Sequence, residues 1–304
     1  MTKDIHLFCK LGIVHSMAFP ESSSSASEFI RTLKKILNDS YFTLVEIGKL
    51  PFPELNSVVP DMIRAAGADF TYCGHSRLFA NKLNINDLDE EKRLAAVEEL
   101  KRGLDEAKAF GVKEFQFLSR QCPEDKIEQG IEQLAKRTRE LCAYANKLDI
   151  KVALEIFDHD IDKCSLLGPA DRVKKFLEKV SDIENFGIMV DCSHIPMIRE
   201  PLSLHMNTIK GKIFHAHMGN TYIKDKNDPA YGDLHPRFGY PESENDASYL
   251  ASYLQYLLDF GYLKEGGDNY LSFEVRPVLD EDRDMVIANA KRTLAEAWKK
   301  VVER

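Results

Sequence analysis

Residues 210–239 read KGKIFHAHMGNTYIKDKNDPAYGDLHPRFG. The apolar residues around Ile213-Phe214 predict a strand over Lys212–Ala216. His215 and His217 stand two apart, so a strand points both to one face. A long loop follows, carrying Asp233 and His235 at the same spacing. Structureless excursions of this length in compact domains are usually functional. Tyr222, Tyr231, Phe238 and Tyr240 argue that this one is ordered. Pro229, Gly232, Pro236 and Gly239 set its turns.

The rhythm of strand and helix extends from this stretch in both directions. Strands are expected at Ile5–Lys10, Thr43–Ile47, Phe70–Cys73, Glu114–Leu118, Val152–Phe157, Gly187–Val190, Lys212–Ala216 and Tyr270–Val275. Between them run segments of helical periodicity, among them Leu55–Ala66, Asp87–Phe110 and a helix from about 123 to 147. Others fall near Pro169–Val180 and Pro201–Ile209, then at Asp246–Phe260 and Asp280–Val302. Gly67, Gly111 and Gly261 close three of them. Several strands are nearly continuous apolar runs, as expected when both faces are covered. Eight such units predict a single-domain (β/α)8 TIM barrel over residues 1–304, with a lid-like loop at about 219–244. An open doubly wound sheet would carry a Gly-rich phosphate turn after the first strand, and LGIVHSMAF carries none.

The chain has 304 residues, a formal net charge of −8 and a pI near 5.7. An acidic chain is a poor binder of duplex nucleic acid, whose phosphates must be neutralised. The six cysteines are scattered without a C-x-x-C pair, as for reduced thiols. The N-terminal MTKDIHLFCK lacks the basic and apolar regions of a signal peptide. No run reaches the roughly 18–20 apolar residues of a membrane span. A cytoplasmic location is therefore expected, with neither nucleic acid nor membrane as partner.

In a barrel of this kind the C-terminal ends of the strands share one mouth. Reading only those ends gives Glu46, His75, Glu155, Asp191 with His194, His215 with His217, and Glu274 with Arg276. Two Glu, one Asp and one His supply mixed oxygen and nitrogen ligation for Mn²⁺, Mg²⁺, Co²⁺ or Zn²⁺. Each residue alone has a plainer explanation. Glu155 could pair with an arginine, Asp191 cap a turn, His194 satisfy a loop carbonyl, His217 sit in the core, and Glu274 pair with Arg276. Their convergence at successive strand ends favours chemistry.

LEIFDH (154–159), VDCSH (190–194), FHAHMGN (214–220) and SFEVRP (272–277) resemble the xylose isomerase-like TIM-barrel superfamily. This includes ketose 3-epimerases, sugar isomerases, inosose dehydratases and apurinic-site endonucleases. The resemblance runs from TYCGHS (71–76) to the C-terminus and implies one divalent metal held by Glu155, Asp191, His217 and Glu274. It implies a sugar isomerase or epimerase acting on a ketose, aldose or related polyol ketone. Proton transfer would pass through a metal-stabilised enediolate, with Glu155 and Glu274 exchanging the protons. His194, Arg276, His235, Glu46 and His75 are the expected substrate contacts. His75, His194, Asp233 and His235 are the candidates for a second metal, and a homo-oligomer is expected. The same set serves a lyase of the inosose dehydratase or C-glycoside-cleaving kind, an abasic-site endonuclease, or a non-catalytic sugar-binding barrel. The endonuclease also needs a histidine on the fourth strand, where this chain has Gln116, Leu118 and Ser119. The epimerases' Arg-containing segment after the histidine strand is here Met218-Gly219-Asn220-Thr221-Tyr222-Ile223. From the long loop, Asp233 or Arg237 is expected to reach the mouth beside His235.

Overall fold

The computed structural model describes residues 1 and 3–302. Among these, eight parallel strands close into a barrel in chain order: β1 (Lys10–Val14), β2 (Leu44–Gly48), β3 (Asp69–Cys73), β4 (Glu114–Leu118), β5 (Lys151–Glu155), β6 (Phe186–Asp191), β7 (Ile213–Met218) and β8 (Tyr270–Phe273). β8 pairs back onto β1, so no sheet edge is left open. Helices between the strands pack their apolar faces against the outside of the barrel. The helix Glu90–Phe110 shows how local sequence fixes such an element. Asp89 caps its start by accepting from the amides of Glu91 and Lys92, and Gly111, at φ 80°, ends it. Val97, Leu100 and Leu104 lie fully buried along one side. Each such aliphatic side chain contributes about 1.5–3 kcal/mol of burial energy.

The first strand departs from the sequence expectation. Ile5–Leu7 is a turn of 3-10 helix capped by Asp4, and β1 begins only at Lys10. The apolar Ile5 and Phe8 are buried, and Phe8 meets Trp298 of the last helix edge to face at 5.2 Å. They form a packed entry to β1 rather than a barrel stave. The shift moves the mouth end of the strand from Lys10 to Val14, and so brings His15 to the mouth. Short helices at His15–Ala18, His75–Ala80 and His194–Ile198 also begin just beyond strands, where no helix was expected.

Strand alternation turns Gly12, Glu46, Glu155, Asp191, His215 and His217 toward the interior. Gly12 is needed there: a Cβ would collide with Ser272 Oγ and lie 2.7 Å from Leu44 Cδ2. Register sets the site. Asp191 lies beside His217, and His217 beside Ser272, so three neighbouring strands bring their ends level.

Candidate metal centre and active site

Glu155, Asp191, His217 and Glu274 occupy the ends of four consecutive strands. One ligand-capable atom from each lies within 4.8 Å of the other three. His217 Nδ1 is 2.8 Å from Glu274 Oε2 and 3.7 Å from Asp191 Oδ2. Glu155 Oε1 and Asp191 Oδ2 are buried with no hydrogen-bond partner. Buried carboxylate oxygens without partners are costly. Three carboxylates and an imidazole nitrogen facing one small space therefore fit a divalent cation. The donor set, mostly oxygen with one nitrogen, suits Mn²⁺, Mg²⁺, Co²⁺ or Zn²⁺.

The electrostatics separate the two glutamates. Burial raises the Glu155 carboxyl to about 8, and the Glu274 carboxylate adds to this against the pull of His194. Burial also works to raise Glu274, but the imidazoles of His235 and His217 prevail and hold it at about 2. Burial lowers the basicity of His217, yet Glu46 and Glu274 raise it well above the ordinary imidazole value.

Glu46, expected as a substrate contact, lines the cavity and also supports His217 from behind. It is fully buried, and both oxygens lie 3.1 Å from His217 Nε2. Its Oε1 also lies 2.8 Å from His215 Nε2, while His215 Nδ1 is 2.6 Å from Glu114 Oε1. A carboxylate–imidazole chain thus runs from Glu114 on β4 to Nε2 of His217. It orients that ring with Nδ1 toward the carboxylates, the usual outer partnership of a metal-ligating histidine. Burial opposes its ionisation, but His215 and His217 hold Glu46 well below its ordinary value.

The long loop does reach the mouth. His235 Nε2 is 2.8 Å from Asp233 Oδ1 and 3.5 Å from Glu274 Oε1. His194 donates through Nδ1 to the Ile156 carbonyl at 2.7 Å, and its Nε2 meets the same Asp233 Oδ1 at 2.9 Å. Asp233 Oδ2 is taken by Lys163 Nζ at 2.7 Å. Asp191, His194 and His235 also form a compact group of possible ligands. Gly219 makes room for this packing, since a Cβ there would lie 2.8 Å from His235 Nδ1. Arg237 does not join the site. Its guanidinium bonds Glu281 Oε1 at 2.8 Å and the Gly239 carbonyl, tying the loop to the segment after β8. Tyr222 and Tyr240 meet edge to face at 5.9 Å and close the loop on itself.

His75 lines the mouth with Nε2 3.3 Å from Glu155 Oε2, and burial lowers its pKa to about 4. Arg276 also lines the cavity, while its backbone amide donates to the His235 carbonyl at 2.7 Å. Strand four adds no imidazole. Gln116 turns inward toward Glu114 and His215, and Ser119 Oγ accepts from the Leu167 amide. The cavity above these groups has a volume of about 410 Å³ and a wall that includes Phe79, Phe157 and Met189.

Three residues of the site escaped the reading of strand ends, and a fourth was read there without its place. Lys163 lies in a loop shaped by the Asp158 carboxylate, which accepts from the amides of Ile161, Asp162, Lys163 and Cys164. No periodicity marks it. Glu114 opens β4 at the opposite end from the mouth. His215 was visible beside His217, but not its position beneath it. His15 was hidden by the misplaced first strand.

The family profile described as Xylose isomerase-like TIM barrel matches residues 42–301. The chain belongs to this family. Among solved structures, a D-tagatose 3-epimerase-like protein is 18% identical, with a TM-score of 0.71 over 96% of this chain and 100% of its own. D-psicose 3-epimerase from Clostridium cellulolyticum H10 is 16% identical, with a TM-score of 0.68 over 96% and 99%. The 3-keto-D-glucoside 4-epimerase of E. coli is 16% identical, with a TM-score of 0.68 over 94% and 99%. At these identities the likeness is one of fold. No curated protein matches this family member by sequence. Among the described residues, no helix is long and apolar enough to cross a membrane.

Proposed function

We propose that this protein is a divalent-metal-dependent epimerase or isomerase of a ketose or related polyol ketone. The observation that carries the reading is the convergence of Glu155, Asp191, His217 and Glu274 on one space within 4.8 Å. These four would hold the ion, His217 through Nδ1. A divalent cation bound there supplies polarisation of a carbonyl and its neighbouring hydroxyl.

The chain's own groups supply the proton chemistry. With one carboxyl pushed up and the other held down, Glu274 is ionised and Glu155 protonated at neutral pH before any ion enters. Ion binding would ionise Glu155 too, so either glutamate could take the proton next to the carbonyl, and proton exchange between the two would return one to the other face or to the neighbouring carbon. His75, His194 and Arg276 would hold substrate oxygens, while Phe79 and Phe157 keep bulk water from the reacting carbon. The structural neighbours named as tagatose-like, psicose and ketoglucoside epimerases support the reading.

We assign one ion per chain. Asp233 already has Lys163 on one oxygen, and His194 and His235 on the other. This trio positions the loop and the substrate. Elemental analysis finding one ion per chain agrees with that assignment, and two would move the trio to a second metal site. A panel of ketohexoses, ketopentoses and inososes, incubated with Mn²⁺ in D₂O, tests the reaction. Deuterium incorporated next to the carbonyl of an epimer or isomer is expected. Loss of water would instead indicate the lyase, and no exchange with any member would overturn the proposal.

A further inference from the structure

His15 is the first residue beyond β1, and it is 1% exposed. Its Nε2 lies 2.8 Å from Thr32 Oγ1. That hydroxyl faces the carbonyls of Glu28 at 2.8 Å and Phe29 at 3.1 Å, both acceptors only. Its single proton is therefore used on a carbonyl, and its lone pair is what faces His15. The imidazole must then carry its proton on Nε2 and donate to Thr32. Nδ1 is left as a bare acceptor, buried and with no partner in the protein. His15 lines the same cavity as Glu155 and Glu274. Phe29 meets the ring edge-on at 4.6 Å and Phe19 flanks it at 6.2 Å, which fixes its plane. Burial keeps the ring neutral, with a pKa pushed down to about 3.

We infer that His15 is a specificity-determining residue whose Nδ1 accepts a hydrogen bond from a substrate hydroxyl. The inference rests on the polyol reading above and sharpens it. A neutral acceptor fixed on β1 welcomes an O–H and repels the oxygens of a carboxylate or phosphate. Placed between β8 and β2, it addresses a part of the substrate other than the atoms facing β5–β7. A site built to bond a hydroxyl penalises a ligand lacking it, because the buried acceptor is then unpaired.

Two substitutions separate this role from a structural one. His15→Gln can still reach Thr32 but places no acceptor at the Nδ1 position. His15→Asn places its carbonyl oxygen near that position and gives up Thr32. With the ketose of the panel turned over fastest, His15→Gln is expected to lose about 10- to 100-fold in kcat/KM, mainly through KM, with little change in Tm. His15→Asn is expected to keep more kcat/KM while losing more Tm. If kcat/KM follows Tm across the two variants, the role is structural and the inference is overturned. If no ketose is turned over, the functional reading fails, and nitrogen NMR decides the His15 claim separately. A bare Nδ1 whose nitrogen resonance shifts when a ketohexose is added upholds it, and a proton on Nδ1, or no shift, overturns it.

Discussion

Glu46 and His217 show how one carboxylate sets what its neighbour can do. With Glu46 holding Nε2, the ring presents Nδ1 to Asp191 and Glu274. Glu46→Gln preserves shape but removes the charge that fixes the ring. Its Mn²⁺ affinity is expected to fall about 10- to 100-fold by titration calorimetry. An unchanged affinity would remove Glu46 from the metal's support. Glu155→Gln is expected to lower turnover by at least about 100-fold while circular dichroism stays native. Retained turnover would remove Glu155 from the proton chemistry. The sequence made Glu155, Asp191, His217 and Glu274 legible because polar groups at the ends of apolar strands have little structural reason to recur. It did not show Glu46 turned beneath His217, because strand alternation gives a side chain's face but not its partner across the barrel.

Two elements carry the site beyond the strands. The loop after β7 was legible from its length, aromatics and turn residues, and its Asp233 and Leu234 line the cavity. Of the two side chains named as alternatives beside His235, Asp233 is the one at the mouth. Glu281, far away in sequence, captures Arg237 on the rim. Arg237→Ala should therefore cost only about 0–1 kcal/mol and leave turnover within about twofold. A large loss of turnover would return Arg237 to the site. Gly219→Ala should behave differently. The added methyl would meet His235 Nδ1 at 2.8 Å and the Glu274 carbonyl at 3.0 Å. A cost of about 1–3 kcal/mol and a displaced His235 are expected, visible as a lower Tm and impaired turnover. The other element is β1. Its apolar lead-in, Ile5–Phe8, reads like a strand because packing against Trp298 requires the same residue types. Only tertiary contact distinguishes the two, and the error concealed His15.

At the scale of the whole molecule, eight chain-ordered strands bring distant residues to one mouth, and closure of the barrel concentrates buried charge there. The β/α rhythm was enough to read this architecture from sequence. The charge it concentrates has a measurable consequence. The Glu155 carboxyl titrates at about 8 in the metal-free fold, against an ordinary 4.5. A raised pKa means that the fold holds this proton as pH rises toward 8. This contribution to metal-free stability therefore fades between about pH 4.5 and 8. An entering cation must expel this proton below pH 8 and, with it, the proton that keeps the His217 imidazole charged, so Mn²⁺ affinity should climb by about ten- to a hundredfold per pH unit from pH 6 to 8. Affinity independent of pH across that range would contradict the assignment of Glu155 as a ligand. Anomalous diffraction from crystals grown with Mn²⁺ tests the metal site most directly. One strong peak per chain is expected, about 2.0–2.6 Å from Glu155, Asp191, His217 Nδ1 and Glu274. A peak elsewhere, or none at these four side chains, would contradict it.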